Sequence, residues 1–277
     1  MWRVLSLVIG LSIGLSACYQ PSVAPGTPCE PAAGCPYGLT CALVDGAHVC
    51  IDGLPPTDAP LLGPDGPDTD APDAPAAVPW RIVQTQAIVD RVLMVEATGA
   101  GNTILVGLET TAGAVPNNVR DNAGNTYTRI PGSRARNVER NFAAEFWIAT
   151  NVQAGATRLD SGGGIIRALA MWEVAGLAAD PIDAIAVLEN QAESTLPVGA
   201  PITTAEAGEL VVSIVIVASS VTGLAPGSDF TNDHNTLGNG WAHLTATDAP
   251  AAMYQAQWLQ QVPGGSCATS IALRRAP

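Results

Sequence analysis

The sequence predicts an all-β protein organised as a β-sandwich, and two observations carry that expectation. Apolar residues make up 47% of the chain but aromatic residues only 5%. The core must therefore come from small and β-branched side chains rather than rings, which favours sheet over a bundle of helices. From Trp80 onward, short apolar or alternating runs recur between clusters of Gly, Asn, Asp and Pro. That is the punctuation of a sandwich or barrel and lacks the 3.6-residue period of amphipathic helices.

The chain begins with one positive charge, Arg3, and an apolar run from Val4 to Leu15. Twelve residues fall short of the roughly 20 that span a bilayer, whereas a charged start, a short apolar run and small residues at the cut describe an export signal, residues 1–17. Cys18 follows at once. Leu15-Ser16-Ala17-Cys18 resembles the lipobox of bacterial lipoproteins. The resemblance implies that Cys18 is acylated, by palmitate or a similar chain, and becomes the mature N-terminus. Residues 18–28 would be the tether, and the membrane itself would be the first partner. Tyr19, where an inner-membrane protein of that class carries aspartate, implies the outer membrane.

The formal charge is −13, and loss of Arg3 with the signal takes it to −14. All basic side chains are arginines. So acidic a chain repels phosphate backbones, which excludes nucleic acid as a partner.

Cys29, Cys35, Cys41 and Cys50 crowd residues 29–50. The short C-x2-4-C knuckle of a zinc site is missing, and in an exported segment too small for a core such density predicts two disulfides. The spacing leaves all three pairings open. Residues 34–41, Gly-Cys-Pro-Tyr-Gly-Leu-Thr-Cys, resemble the cysteine-rich heads of some bacterial lipoproteins, which implies no catalysis. His48 reads as a loop residue.

Residues 51–79 interleave prolines with aspartates. With little to bury, proline favouring extended backbone and like charges repelling, the stretch reads as a disordered acidic linker. Asp68, Asp70 and Asp73 lack the glycine and closing glutamate of a calcium loop.

Residues 80–277 read as one β-sandwich domain. Strands are expected at 81–89, 92–97, 103–108, 126–130, 144–149, 165–174, 210–217, 241–245, 252–259 and 268–274. In 165–174 the alternation sets Ile166, Ala168, Ala170, Trp172 and Val174 on one face and Arg167 and Glu173 on the other, which makes Trp172 core. The run 210–217 is apolar on both faces, as a strand covered on each side would be. Asp180 followed by Pro181 is a recognised helix start, so 181–193 reads as helix or extended strand.

Asn102 to Gly107, the run Asp121-Asn122-Ala123-Gly124-Asn125-Thr126-Tyr127, Glu145 to Val152 and Trp172 to Leu177 together resemble an uncharacterised jelly-roll-like module of secreted bacterial proteins. Gly208 to Val212 matches it as well. The resemblance implies a jelly-roll-like sandwich over most of 81–275 and no catalytic residues. The Asp-to-Tyr run is a turn feeding a strand.

Little local chemistry stands out. Gly10-Leu11-Ser12-Ile13-Gly14 has the letters of a nucleophile elbow but sits in the signal, without the strand-turn-helix context that motif requires. Asp229, Asp233 and His234, with His243 a short way on, are the candidate metal ligands, set against an ordinary polar loop. Trp241, Tyr254 and Trp258 are a candidate carbohydrate platform, set against plain packing. Cys267 reads as a buried, unpaired thiol, the alternative being an intermolecular disulfide. The expectation is an exported, envelope-anchored lipoprotein without cofactor or catalysis. It would present its sandwich for structural or adhesive contact with an envelope protein or polysaccharide. The alternatives are a carbohydrate-binding module and a secreted hydrolase.

Overall fold

The computed structural model describes residues 40–44, 47–51, 79–162 and 166–277. The signal, the tether with Cys18, and Cys29 and Cys35 lie outside the described residues, as does nearly all of 51–79. The chain divides into two compact units, Met1–Ala71 and Pro72–Pro277. In the first, β1 (Thr40–Val44) and β2 (Ala47–Ile51) form an antiparallel hairpin with Cys41 directly opposite Cys50.

Among the described residues the second unit holds eighteen strands. In its first half these are β3 (Arg81–Ile88), β4 (Val92–Met94), β5 (Thr103–Thr110), β6 (Arg120–Asp121), β7 (Thr128–Arg129), β8 (Ala135–Asn137), β9 (Phe142–Ala149), β10 (Arg158–Asp160) and β11 (Ile166–Ala175). The second half carries β12 (Leu177–Ser194), β13 (Ile202–Thr203), β14 (Leu210–Val217), β15 (Val221–Leu224), β16 (Phe230–His234), β17 (Gly240–Leu244), β18 (Met253–Tyr254), β19 (Trp258–Gln260) and β20 (Gly264–Arg275). Among the described residues the helical content is one 3-10 turn, Thr236–Gly238.

Each half builds one large antiparallel sheet and its own cover. The first sheet runs β3-β11-β5-β9-β7, with β8 also on β9, under a small β4-β10-β6 sheet. The second runs β12-β20-β14-β17-β16, under the pairs β13-β18 and β15-β19. The pairing repeats. In each half the first strand lies at the sheet edge beside the last, the last pairs with the strand that opens the sheet centre, and the strands before and after that centre pair in the cover with the penultimate segment. This is the jelly-roll order, a double-layered winding of eight strands, and the chain performs it twice.

Local geometry repeats with the topology. Gly101 and Gly208 both turn left-handed, φ 79° and 78°, two residues before β5 and β14. Thr98 N donates to Ala156 O at 3.0 Å while Ala156 N donates to Thr98 Oγ1 at 3.1 Å. Thr204 and Ala252 make the same reciprocal pair at the same two distances.

Three apolar layers follow. Leu93, Val106, Trp147 and Met171 fill the first roll. Val211, Val215, Trp258 and Ala268 fill the second. The two large sheets bury their remaining faces against each other through Leu105, Phe146 and Trp172 on one side and Val212, Ile214, Trp241 and Ile271 on the other. Double coverage is why β5, β9 and β14 are buried along their whole length. Side chains of the second sheet reach the backbone of the first at Gly107, where an added Cβ would lie 2.5 Å from Ile214 Cδ1 and 2.9 Å from Trp241 Cζ3.

One open alternative is settled and two departures from the sequence reading appear, each with a physical cause. Residues 181–193 are strand, the middle of β12. Pro181 has no N–H to donate, and it sits where the β12–β20 pairing skips from Leu177 to Ile182. Ile166 faces the first roll's own core rather than sharing a face with Trp172, because Arg167 is an extra, bulged residue between Ile166 and Ala168. The expected strand over 252–259 is broken into β18 and β19. The Asp121–Tyr127 run is a turn, as expected. Asp121 accepts from the backbone N–H groups of Ala123 and Asn125 at 2.9 and 3.1 Å, and from Asn125 Nδ2 and the Tyr127 hydroxyl at 2.7 and 3.0 Å.

Candidate functional site

Of the expected metal ligands, the structure joins Asp233 to His243 and turns the others away. Asp233 is a bulged residue of β16, since Asn232 pairs with Ala242 but His234 with Trp241. The bulge swings its carboxylate inward. There it accepts from His243 Nδ1 at 2.8 Å and from Trp172 Nε1 at 2.8 Å. The imidazole packs edge-on against Trp80, ring centroids 6.3 Å apart. His234 instead bonds through Nε2 to Thr85 Oγ1 at 2.9 Å, and burial lowers its pKa. Asp229 is exposed and lines a separate groove. Among the described residues no three His, Cys, Asp or Glu side chains gather into a metal-binding group. Trp172 and Thr85 belong to the first roll, and Asp233, His234 and His243 to the second. The cluster is a polar seam between the rolls.

Among the described residues four buried carboxylates lie elsewhere. Glu145 takes Arg134 Nη1 at 2.7 Å and Trp147 Nε1 at 3.0 Å. Glu173 takes the Gly99 N–H at 2.7 Å, Asn102 Nδ2 at 2.5 Å and Gln84 Nε2 at 2.6 Å. Glu109 takes Arg167 Nη1 at 3.2 Å and Asn239 Nδ2 at 2.7 Å. Glu209 differs in that the charges acting on it are other carboxyls, Asp183 foremost. Burial first, then the Asp183 charge, pushes its pKa up to about 7. Nothing local in the sequence points to this pair, which is 26 positions apart and is joined by β12 and β14 flanking β20. The available signal was a glutamate placed directly between Gly208 and an eight-residue apolar strand.

The carbohydrate platform does not form as a surface. Trp241 and Trp258 are fully buried, in the inter-sheet core and the second roll's core respectively. Tyr254 is nearly so, with its hydroxyl donating to Pro250 O at 2.6 Å. A concavity of about 980 Å³ lies over the second roll between Asp229, Asp248, Met253 and Gln255. Cys267 is buried and free, its thiol pushed up to about 12 by burial, so it cannot reach a second chain without unfolding. In the head, Cys41 is disulfide-bonded and His48 is exposed; the Cys50 side chain lies outside the described residues.

No protein-family model matches the chain, and comparison with curated proteins and with solved structures gave no match. The class its architecture defines is an all-β protein of two stacked jelly rolls.

Proposed function

We propose that this chain is a lipid-anchored envelope protein that holds its paired sandwich away from the membrane for structural or adhesive contact, without catalysis of its own. The observation that carries this reading is the use made of the buried charge. Glu145, Glu173 and Asp233 each accept from two or more donors within the sandwich. Their role is to lock loops and join the rolls. Leu15-Ser16-Ala17-Cys18 and the acidic, proline-rich 51–79 supply the anchor and spacer of the proposal, with delivery to the outer membrane. Two disulfides in the head complete it.

The test is expression of the full chain, Cys18→Ser, and a form lacking residues 80–277 in a bacterium with two membranes. The full chain should carry an acylated Cys18, extract only in detergent and increase attachment of cells to envelope polysaccharide or to one another. Cys18→Ser should accumulate as unprocessed precursor. The truncated form should remain acylated and lose the attachment. An unmodified Cys18 in the full chain, or attachment unchanged by the deletion, would overturn the reading.

A further inference from the structure

Where the two rolls meet, one end of their shared core opens into a cleft of about 360 Å³ bordered by Glu109, Arg140, Arg167, Ser219, Leu237 and Asn239. We propose that this cleft binds a small, neutral, polyhydroxylated ligand, a single sugar residue. The inference goes beyond the anchored-contact reading and does not depend on it.

The repeat makes Glu109 conspicuous. Glu109 and Ile216 each lie eight residues after the left-handed glycine that precedes their strand, Gly101 and Gly208. Both positions face the layer between the sheets. Ile216 is part of that apolar core, whereas its counterpart is a carboxylate whose pKa burial pushes up. A buried carboxylate is costly where an aliphatic side chain would serve, so its presence at the cleft wall calls for a function.

The surroundings hold that carboxylate ready to accept. The Val217 N–H donates to Asn239 Oδ1 at 3.2 Å, which fixes the amide and directs Nδ2 to Glu109 Oε2 at 2.7 Å. Arg167 reaches Oε1 at 3.2 Å. It does so from the bulge in β11, the position at which an extra residue re-aims a side chain. Each carboxylate oxygen thus has one donor and keeps the capacity to accept another. Leu237, on the rim, is held left-handed at φ 56°, ψ 25° and is 41% exposed, a conformation that a β-carbon disfavours and that sites tend to retain.

The chemistry of the walls selects the ligand class. Fixed acceptors and arginine donors stand side by side, and a hydroxyl satisfies both at once. Charge is balanced, since Arg167 pairs with Glu109 and Arg140 with Glu193; neither an anion nor a cation gains by entering. Phe142 lines the cleft but is itself buried, so a flat aromatic ligand has no open ring face to stack on. The volume lies at the small end of the roughly 300–1,000 Å³ range of ligand sites, enough for one ring.

Saturation-transfer NMR on the full chain tests this with glucose, galactose, mannose and N-acetylglucosamine, using glucuronate and inorganic phosphate as charged comparisons. At least one neutral sugar should show saturable transfer with a Kd of about a millimolar. Glu109→Gln should weaken it by about tenfold or more, the effect of removing a charged acceptor. Ala218→Trp, at an exposed rim position, should abolish it with the melting temperature kept. Absence of transfer from every neutral sugar, transfer from the charged compounds alone, or unchanged binding in Ala218→Trp would overturn the assignment.

Discussion

Glu209 and Trp172 mark two limits of what single residues disclose. Trp172 was legible as core from parity alone, because alternation along β11 is uninterrupted from Ala168 to Val174. Glu209 was not, since its character comes from burial first and then from Asp183, both set by strand order and not by spacing. The pair sets a pH dependence whose sign is fixed. A carboxyl that titrates near 4.5 when unfolded and at about 7 when folded binds its proton more tightly in the native state. Its contribution to stability is therefore complete below pH 4.5 and is lost as pH rises through 7. Glu209→Gln keeps the shape, offers Asp183 an amide N–H and does not titrate. Unfolding free energies from urea titrations between pH 4.5 and 8 should fall for the native chain relative to the variant, by about 1–3 kcal/mol at the upper end. Parallel profiles would show that Glu209 is ionised in the native state.

At the scale of elements, uninterrupted strands were read well and irregular ones poorly, for one reason. Periodicity reports a strand only while its register holds. β14, apolar on both faces, was expected as a doubly covered strand and is one. β12 carries a helix start signal at Asp180 and Pro181, and tertiary pairing with β20 overrides it. The bulges at Arg167 and Asp233 are invisible in the sequence because each is defined by a partner strand, yet they aim the two side chains that matter most at the junction of the rolls. Asp233 was singled out for metal binding on its neighbours in sequence, and its real partners lie in β11 and β17. Asp233→Ala should leave the fully buried Trp172 Nε1 without an acceptor. The expected loss is about 2–4 kcal/mol in denaturant unfolding, and chelators or added divalent ions should change neither protein's midpoint. A loss below about half a kcal/mol, or a metal-dependent midpoint in the native chain, would show that the seam is not what Asp233 serves.

The whole molecule raises the question of how independent the two rolls are. Each has its own core and its own cover, so topology alone suggests two domains joined at Gly176. Packing argues otherwise. The layer between the large sheets is built from both halves, with Trp172 and Trp241 at 6.3 Å between ring centroids and Gly107 admitting Ile214 at a distance no other residue would allow. A roll without its partner would expose Leu105, Phe146 and Trp172, or Val212, Ile214 and Trp241, as one continuous apolar face, far beyond the few hundred Å² that soluble monomers tolerate. The duplication is hidden in the sequence because the halves share pairing order and turn geometry but few letters. Residues 79–277 should therefore unfold in a single step, with calorimetric and van't Hoff enthalpies equal and without the head, the anchor or metal. Residues 79–176 and 177–277 made separately should aggregate or bind the hydrophobic dye ANS, and mixing them during refolding should restore a soluble one-to-one complex. Two resolved transitions in the intact fragment, or a soluble and cooperatively folded single roll, would establish instead that the shared layer is an interface between domains that fold alone.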